Sequence, residues 1–271
     1  MSAKYEARTE AAKSLLCVGL DSDFAKLPEQ FKKAEHPQFE FNKWIIDETH
    51  EYVAAYKPNA AFYEARGDAG LRELKMTMEY LQMEHSDIFT IFDAKRADIG
   101  NTNNGYVTAI FDWLGFDAVT LHPYLGREAL APFLDRKDKI SIILCRTSNE
   151  GAGEFQDLKL LPYMEVISPE PLWKIVAEKV ANEWNRNGNC MLVVGATYPE
   201  EMKIIREVAG DMTFLVPGIG AQGGNVSAVL KNGRNSKGTG LIISASRSVI
   251  FSDTPREAAT TLRDEIQSHR P

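Results

Sequence analysis

Short apolar runs rich in β-branched residues recur along the whole chain and alternate with stretches in which charged and apolar residues are mixed. The apolar runs predict strands at 15–21, 53–59, 89–95, 118–123, 140–145, 191–196, 214–220 and 240–247. The mixed stretches predict helices near 42–54, 68–84, 103–113, 126–134, 170–186, 199–209, 224–231 and 255–268. Continuous apolar strands that alternate with helices are typical of a parallel sheet covered on both faces.

The eight strand–helix units average about 34 residues, which is typical of a (β/α)8 TIM barrel of roughly 250 residues. An open doubly wound sheet is the alternative architecture for the same pattern. No low-complexity linker or run of like charges divides the chain, so we expect residues 1–271 to form a single domain. The first residues predict a short helix before the first strand, and the long segment at about 147–169 is a candidate lid.

Composition and charge narrow the classes of function. The chain has 271 residues, of which 44% are apolar and 25% are charged, as in an ordinary globular protein. The net charge of −7 argues against a nucleic-acid or anionic-membrane partner, although it leaves room for a basic site that binds a small anion. The sequence contains no apolar run of membrane-spanning length and no secretion signal. Cys17, Cys145 and Cys190 lack metal-binding spacing, which indicates buried, reduced thiols in a cytoplasmic protein.

The most informative polar residues follow the predicted third strand. Asp93 and Lys95 are two positions apart, so both are expected on the face that Phe89 and Ile91 share, which is the barrel interior. An isolated charge there is costly, so these residues must be paired or functional. Lys57 ends the neighbouring strand, and adjacent strands are roughly 5 Å apart, so it is expected to reach Asp93.

These residues predict an alternating array of Lys57, Asp93 and Lys95, with Asp98 close behind. The alternative is a structural network of salt bridges at the top of the barrel. Asp98 has a second interpretation as the N-cap of a helix that begins at Ile99. Asp21, which ends the first strand, has a second interpretation as a turn residue.

A glycine-rich turn, PGIGAQGGN, follows the seventh predicted strand and enters a helix. Gly218, Gly220 and Gly223 allow the backbone to approach a ligand closely, and the helix start offers free N–H groups to a phosphate. Arg247, after the eighth strand, supplies a cation, and Gln222 is placed to close over the anion. The same letters match GxGxxG, so a dinucleotide site is an alternative, although the next strand lacks the acidic residue that binds ribose.

The residues Arg146, Thr147, Ser148 and Asn149 follow the fifth strand and offer hydroxyl and amide groups to a polar ring edge. A plain turn is the alternative. His122, at the end of the fourth strand, is interpreted as a structural residue.

Six motifs recur at predicted strand ends and span residues 15 to 247: LCVGLD, YKPN, FDAKRADIGNT, RTSN, VPGIGAQGG and SASR. In this combination and order they resemble the orotidine 5′-phosphate decarboxylase family. The long segment after RTSN, which includes GEFQDL, resembles the longer-loop, type 2-like branch of that family. The resemblance implies decarboxylation of orotidine 5′-monophosphate to uridine 5′-monophosphate by a cytoplasmic homodimer without metal or organic cofactor.

The resemblance also implies roles for individual residues. Lys95 would protonate C6 of the pyrimidine within an array of Lys57, Asp93, Lys95 and Asp98. Asp98, Ile99 and Thr102 would reach the active site of the neighbouring subunit. Asp21 and Lys57 would hold the ribose hydroxyls, with Asn59 near them, and Thr147 and Ser148 would contact the pyrimidine. Gly220, Gln222 and Arg247 would hold the phosphate. Pro217, Gly218 and Ser246 are further implied substrate-binding residues.

Three rival functions remain open at this point. A sugar-phosphate decarboxylase or aldolase-like synthase shares the DxKxxD pattern, but such relatives use magnesium and carry an acid on strand two, where this chain has Lys57. The charge of a lysine would repel the metal. The other rivals are an NADP-dependent oxidoreductase that uses the GxGxxG-like turn, and a non-catalytic phosphate-binding protein.

Overall fold

The computed structural model describes residues 3–160, 169–219 and 223–270. Eight parallel strands form the barrel: β1 Leu16–Val18, β2 Ala55–Tyr56, β3 Phe89–Arg96, β4 Ala118–Leu121, β5 Ile140–Arg146, β8 Cys190–Val194, β9 Phe214–Pro217 and β10 Leu241–Ala245. They close in the order β1-β10-β9-β8-β5-β4-β3-β2. The predicted (β/α)8 barrel is therefore confirmed, and the open doubly wound alternative is wrong because β1 pairs with β10.

Helices surround the strands. They are α1 Ala3–Ala11, α2 Glu29–Lys32, α3 Pro37–Thr49, α4 Ala60–Glu64, α5 Gly67–Glu84, α6 Gly100–Val107, α7 Gly126–Leu134, α8 Gly153–Gln156, α9 Leu172–Lys179, α10 Pro199–Ala209, α11 Val226–Gly233, α12 Arg247–Ile250 and α13 Pro255–Ser268. The helices α6 and α9 continue as π-helical segments, Thr108–Leu114 and Val180–Trp184. The strands β6 Lys159–Leu160 and β7 Glu170–Pro171 form a separate antiparallel pair.

Two predicted helix bounds were wrong for local reasons. The helix predicted near 42–54 runs instead over Pro37–Thr49, because Pro37 starts it and Val53 is already extended before β2. Proline is favoured at the first helical position because its missing N–H has no partner there. The helix predicted at 224–231 begins at Val226, because the side chain of Asn225 accepts a hydrogen bond from the Ala228 N–H and caps it.

The core has two layers, one inside the barrel and one between the strands and the helices. Phe89 and Ile91 lie in the inner layer, as their parity with Asp93 predicts. The helix α1 brings Tyr5 into the same layer, where its ring contacts Phe89 edge-on at 5.6 Å and its hydroxyl donates to the Leu241 carbonyl at 2.5 Å. The inner layer is therefore apolar at its amino end, and polar groups gather at the carboxyl end.

The three cysteines are buried as free thiols, and burial raises the pKa of Cys17 to about 12. Within the described residues, no helix is long and apolar enough to cross a membrane.

Candidate active site

A cavity of about 470 Å³ opens at the carboxyl ends of the barrel strands. Every barrel strand, or the loop that follows it, contributes to its wall. The lining residues are Asp21, Lys57, Asp93, Lys95, Thr120, Leu144, Thr147, Ser148, Asn149, Gln156, Val193, Leu215, Pro217, Gly218, Ile219, Ser244, Ser246, Arg247 and Ser248. This is the face on which TIM barrels place their active sites.

Asp93 is shared between two ammonium groups. Its Oδ1 lies 2.7 Å from Lys95 Nζ, and its Oδ2 lies 3.2 Å from Lys57 Nζ. Lys57 Nζ is also 3.9 Å from Asp21 Oδ1, and the Asn59 side-chain amide approaches Asp93 Oδ2 at 3.5 Å. The predicted alternation of Lys57, Asp93 and Lys95 is therefore present in one chain.

The array keeps the Asp93 carboxylate and the Lys57 ammonium ionised. Burial by itself raises the pKa of Asp93, but Lys57, Lys95 and the hydrogen bonds that Asp93 accepts outweigh it and hold that pKa well below its usual range. Burial lowers the pKa of Lys57, but the carboxylates of Asp21 and Asp93 raise it above the ordinary lysine value. At neutral pH the cavity therefore presents a fixed pattern of alternating charge.

The backbone of Lys95 is left-handed, with φ of +46°. The regular pairing of β3 with β4 shifts between Phe92 and Arg96, so the simple strand alternation expected from the sequence is interrupted at this point. Thr120 holds the irregular segment, because its hydroxyl accepts from the Lys95 N–H at 3.0 Å and donates to Asp93 Oδ1 at 2.9 Å. Left-handed backbone in a non-glycine residue is costly and is concentrated at functional sites.

Within its own chain, Asp98 lies neither beside the array nor at the N-cap position of a helix. It does not line the cavity, and its described contacts within 4.0 Å include no ion pair with the array. Its carboxylate accepts from the Ile99 N–H at 2.6 Å, while Asn103 binds the Asp98 backbone. The helix α6 starts at Gly100 with Ile99 as its N-cap residue, so the N-cap interpretation of Asp98 was wrong.

Ile99 and Thr102 also lie away from the cavity of their own chain. Ile99 is 65% exposed, and Thr102 is exposed one turn further along α6. Neither side chain is therefore placed to contact a ligand in the cavity of its own chain.

Thr147, Ser148 and Asn149 form the cavity wall after β5, as predicted. Gly195 is required behind them, because a Cβ at that position would come within 2.9 Å of three Ser148 atoms. The turn continues into a 3-10 helix, Glu150–Ala152, and then into α8. The candidate lid at 147–169 therefore begins with ordered structure, while its residues 161–168 lie outside the described ranges.

The part of the cavity wall after β9 and β10 carries the candidate phosphate residues. Pro217 ends β9, and Gly218, which follows it, has φ of +103°, a conformation that favours glycine. Ser246 and Arg247 follow β10 and line the same wall. Gly220 and Gln222 lie outside the described residues, so their predicted contacts are not placed.

Sequence reasoning missed several lining residues, among them the polar Thr120, Ser244 and Gln156. Thr120 and Ser244 share strand parity with the inner-layer residues Ala118 and Ile242, so each is a polar side chain at an inward position. That parity was the available signal. Gln156 comes from α8, and the sequence carries no periodic signal that brings it back to the cavity.

Known proteins are similar to this chain in sequence and in architecture. The sequence profile of the orotidine 5′-phosphate decarboxylase / HUMPS family matches residues 14–262. The chain belongs to this family. An orotidine 5′-phosphate decarboxylase of Cellvibrio japonicus (strain Ueda107) is 45% identical over 266 residues, which cover 95% of this chain and 94% of the relative.

Solved structures of family members agree with the fold. The Leishmania donovani OMP decarboxylase has a TM-score of 0.86 and 38% identity, covering 100% of this chain and 99% of that one. The Leishmania donovani UMP synthase has a TM-score of 0.87 and 39% identity, covering 98% of this chain. This chain spans 56% of the UMP synthase chain. Membership in the decarboxylase family argues against the dinucleotide interpretation of the GxGxxG-like turn.

Proposed function

We infer that the protein is a carboxy-lyase that converts orotidine 5′-monophosphate to uridine 5′-monophosphate. Family membership supports the reaction, and one observation in the structure carries it: Asp93 lies between the ammonium groups of Lys57 and Lys95 in the barrel-mouth cavity. Loss of carbon dioxide from an orotate ring leaves a carbanion at C6. The chemistry therefore needs a cation and a proton at that atom, and Lys95 supplies both.

Lys95 is the catalytic acid in this proposal. Its side chain is half exposed, into the cavity, and its Nζ is held by Asp93. The ammonium stabilises negative charge as it develops at C6 and then transfers a proton, so the carbanion becomes the C6–H of the product. Lys57 keeps Asp93 ionised on its other side.

Asp93 contributes by repulsion in the bound substrate. Its carboxylate would lie against the departing carboxylate, and two unit charges 4 Å apart repel by about 4 kcal/mol at an effective dielectric constant of 20. That energy corresponds to roughly 10³ in rate. It covers only part of what such a reaction needs, so carbanion stabilisation and binding energy from the phosphate supply the rest.

Residues around the cavity wall bind the ribose, the pyrimidine and the phosphate of the nucleotide in this proposal. Asp21 and Lys57 hold the ribose hydroxyls, with Asn59 beside them, and Thr147 and Ser148 contact the pyrimidine edge. The phosphate binds after β9 and β10, at a set of residues that offer donors and a cation: Pro217, Gly218, Gly220, Gln222, Ser246 and Arg247.

The reaction is tested by adding purified protein to orotidine 5′-monophosphate and following the ultraviolet absorbance of the pyrimidine, with and without EDTA. We expect a fall in absorbance at the same rate in both samples. An unchanged absorbance would refute the activity. Inhibition by EDTA that added magnesium reverses would favour a metal-dependent relative instead.

The active site is completed by a second copy in this proposal. Asp98, Ile99 and Thr102 reach the neighbouring cavity in a homodimer, which is consistent with their position outside their own cavity and with the exposure of Ile99. Mixing inactive Lys95→Ala and Asp98→Ala subunits is expected to restore activity, since one hybrid site is intact. Absence of recovery despite demonstrated subunit exchange would contradict the shared site. A cytoplasmic location remains a prediction from the sequence.

A further inference from the structure

A buried asparagine holds the loop that carries Asp98. Asn103 lies on α6 and is 0% exposed. Its Oδ1 accepts from the Asp98 N–H at 2.9 Å, and its Nδ2 donates to the Asp98 carbonyl at 2.6 Å. The same Nδ2 donates to the Ala129 carbonyl on α7, also at 2.6 Å. We call these three bonds the Asn103 clamp.

The orientation of the Asn103 side chain is fixed by its three partners. A backbone N–H only donates and a carbonyl only accepts, so Oδ1 must face the Asp98 N–H and Nδ2 must face the two carbonyls. Both protons of the Asn103 amide are then in use. One side chain therefore holds Asp98 at both of its backbone polar groups and ties it to a second helix.

The carboxylate of Asp98 is left with one available oxygen. Its Oδ1 accepts from the Ile99 N–H at 2.6 Å. Its Oδ2 has no hydrogen-bond or ion-pair partner in its own chain among residues 3–160, 169–219 and 223–270. A carboxylate oxygen forms strong hydrogen bonds with cations. The clamp and the Ile99 N–H therefore fix the position of a carboxylate that can still bind a group outside its own chain.

The clamp does not hold the array of its own chain. Neither Asn103 nor Ala129 lines the cavity. Lys95 is held separately, because its Nζ donates to Asp93 and its backbone N–H donates to Thr120. Loss of the clamp is therefore expected to displace Asp98 and to leave Lys95 in place.

We propose that Asn103 is a positioning residue that acts through Asp98 on the active site of the neighbouring subunit. This inference rests on the proposed function and on the shared site within it. A displacement of about 1 Å in a catalytic arrangement can lower the rate about a hundredfold. Without the clamp, a subunit impairs the cavity of its partner, while its own cavity keeps a functional Lys95.

Subunit mixing tests this assignment. Asn103→Ala is mixed with Lys95→Ala in one sample and with Asp98→Ala in another, and decarboxylation of orotidine 5′-monophosphate is measured. In the first hybrid, Lys95 of the Asn103→Ala subunit meets a correctly placed Asp98 from the other subunit. In the second hybrid, the one remaining Asp98 belongs to the subunit without the clamp. We expect activity several-fold above Asn103→Ala alone in the first mixture and no increase in the second.

Two further measurements define the size of the effect. Asn103→Ala alone should lower kcat/KM about ten- to a hundredfold. The double variant Asp98→Ala/Asn103→Ala should be no slower than Asp98→Ala, since the clamp then has no carboxylate to position. Asn103→Ser is the second variant if the alanine variant does not fold. A helical serine bonds within its own helix, so it also removes the clamp from Asp98.

Asn189→Ala is the matched control. Asn189 is 2% exposed, and its Nδ2 donates to the carbonyls of Leu134 and Arg136 at 3.0 Å each, outside the cavity. This control removes a buried asparagine with a similar set of bonds. Its melting temperature should fall as in Asn103→Ala, but its kcat/KM at a temperature where it is folded should match the wild type.

The opposite mixing pattern would overturn the proposal. Recovery with Asp98→Ala rather than with Lys95→Ala would place the action of Asn103 within its own chain. Equal behaviour in both mixtures, or a loss of kcat/KM no larger than that of the control, would also contradict the positioning role.

These failures are distinguishable from failure of the proposed function. If the wild type does not decarboxylate orotidine 5′-monophosphate, or if Lys95→Ala and Asp98→Ala do not restore each other despite subunit exchange, the function or its shared site is wrong and this inference falls with it. If that pair recovers and Asn103→Ala does not behave like Asp98→Ala, the shared site stands and this inference is wrong.

Discussion

Removal of the Thr120 hydroxyl tests whether Thr120 positions the Lys95 ammonium. Thr120→Val replaces the hydroxyl with a methyl group of similar volume at a position that is 1% exposed. The substitution removes the bond to Asp93 Oδ1 and leaves the Lys95 N–H without its acceptor. Both losses act on the strained segment that carries Lys95.

The size of the effect follows from the two bonds. A hydrogen bond to a charged group contributes about 1.5–3 kcal/mol, and a buried N–H left without a partner costs about 1–3 kcal/mol. Part of this loss destabilises the folded state, and part misplaces the ammonium in the transition state. Since about 1.4 kcal/mol is tenfold in rate, we expect kcat/KM to fall about ten- to a hundredfold. The melting temperature should fall by about 5 °C.

The assay is the ultraviolet decarboxylation assay together with thermal unfolding. Thr213→Val is the matched control, because Thr213 is also 1% exposed and its hydroxyl has no hydrogen-bond partner among the described residues. The control is expected to keep its activity and its melting temperature. If Thr120→Val matches the control in both measurements, the Thr120 hydroxyl does not position Lys95, and the reasoning is refuted.

Three further predictions follow from the same geometry. Gly195→Ala should lower kcat/KM about ten- to a hundredfold in the same assay by displacing Ser148, and unchanged kinetics would contradict the tight packing. The pKa of Asp93 is lower in the folded chain than in the unfolded one, so its ionised carboxylate stabilises the fold above about pH 4, and this stabilisation is lost as pH falls. The free energy of urea unfolding of Asp93→Asn should therefore depend less on pH between about 3 and 5 than that of the wild type. Iodoacetamide at pH 8 should leave activity intact, since burial raises the pKa of Cys17 and Cys190 to about 12. Rapid inactivation would contradict the burial of these thiols.

Hydrophobic patterning was sufficient to predict the barrel, since each of the eight barrel strands overlaps a predicted apolar run. It was less informative about where helices begin and end, because those bounds depend on single residues. Pro37 and Asn225 set two of them, and neither changes the apolar period around it. The antiparallel pair β6–β7 escaped prediction because strands of two residues leave no pattern.

The site was predictable where strand geometry dictated it. Lys57, Asp93 and Lys95 meet because neighbouring parallel strands end at one face. The interrupted register at Lys95 was not predictable, since it depends on a hydroxyl from β4 that is distant in sequence. Asp98 illustrates a different limit. Its role in the proposal depends on a second chain, and one sequence does not specify how two copies meet.

The left-handed backbone of Lys95 also bears on how this enzyme responds to engineering. A non-glycine residue in that conformation costs roughly 1–2 kcal/mol, and glycine adopts it without strain. A screen for thermostability alone would therefore favour glycine at the position whose side chain protonates the substrate in the proposed mechanism. Stability and turnover are opposed at this residue, so a useful screen must select for both at once.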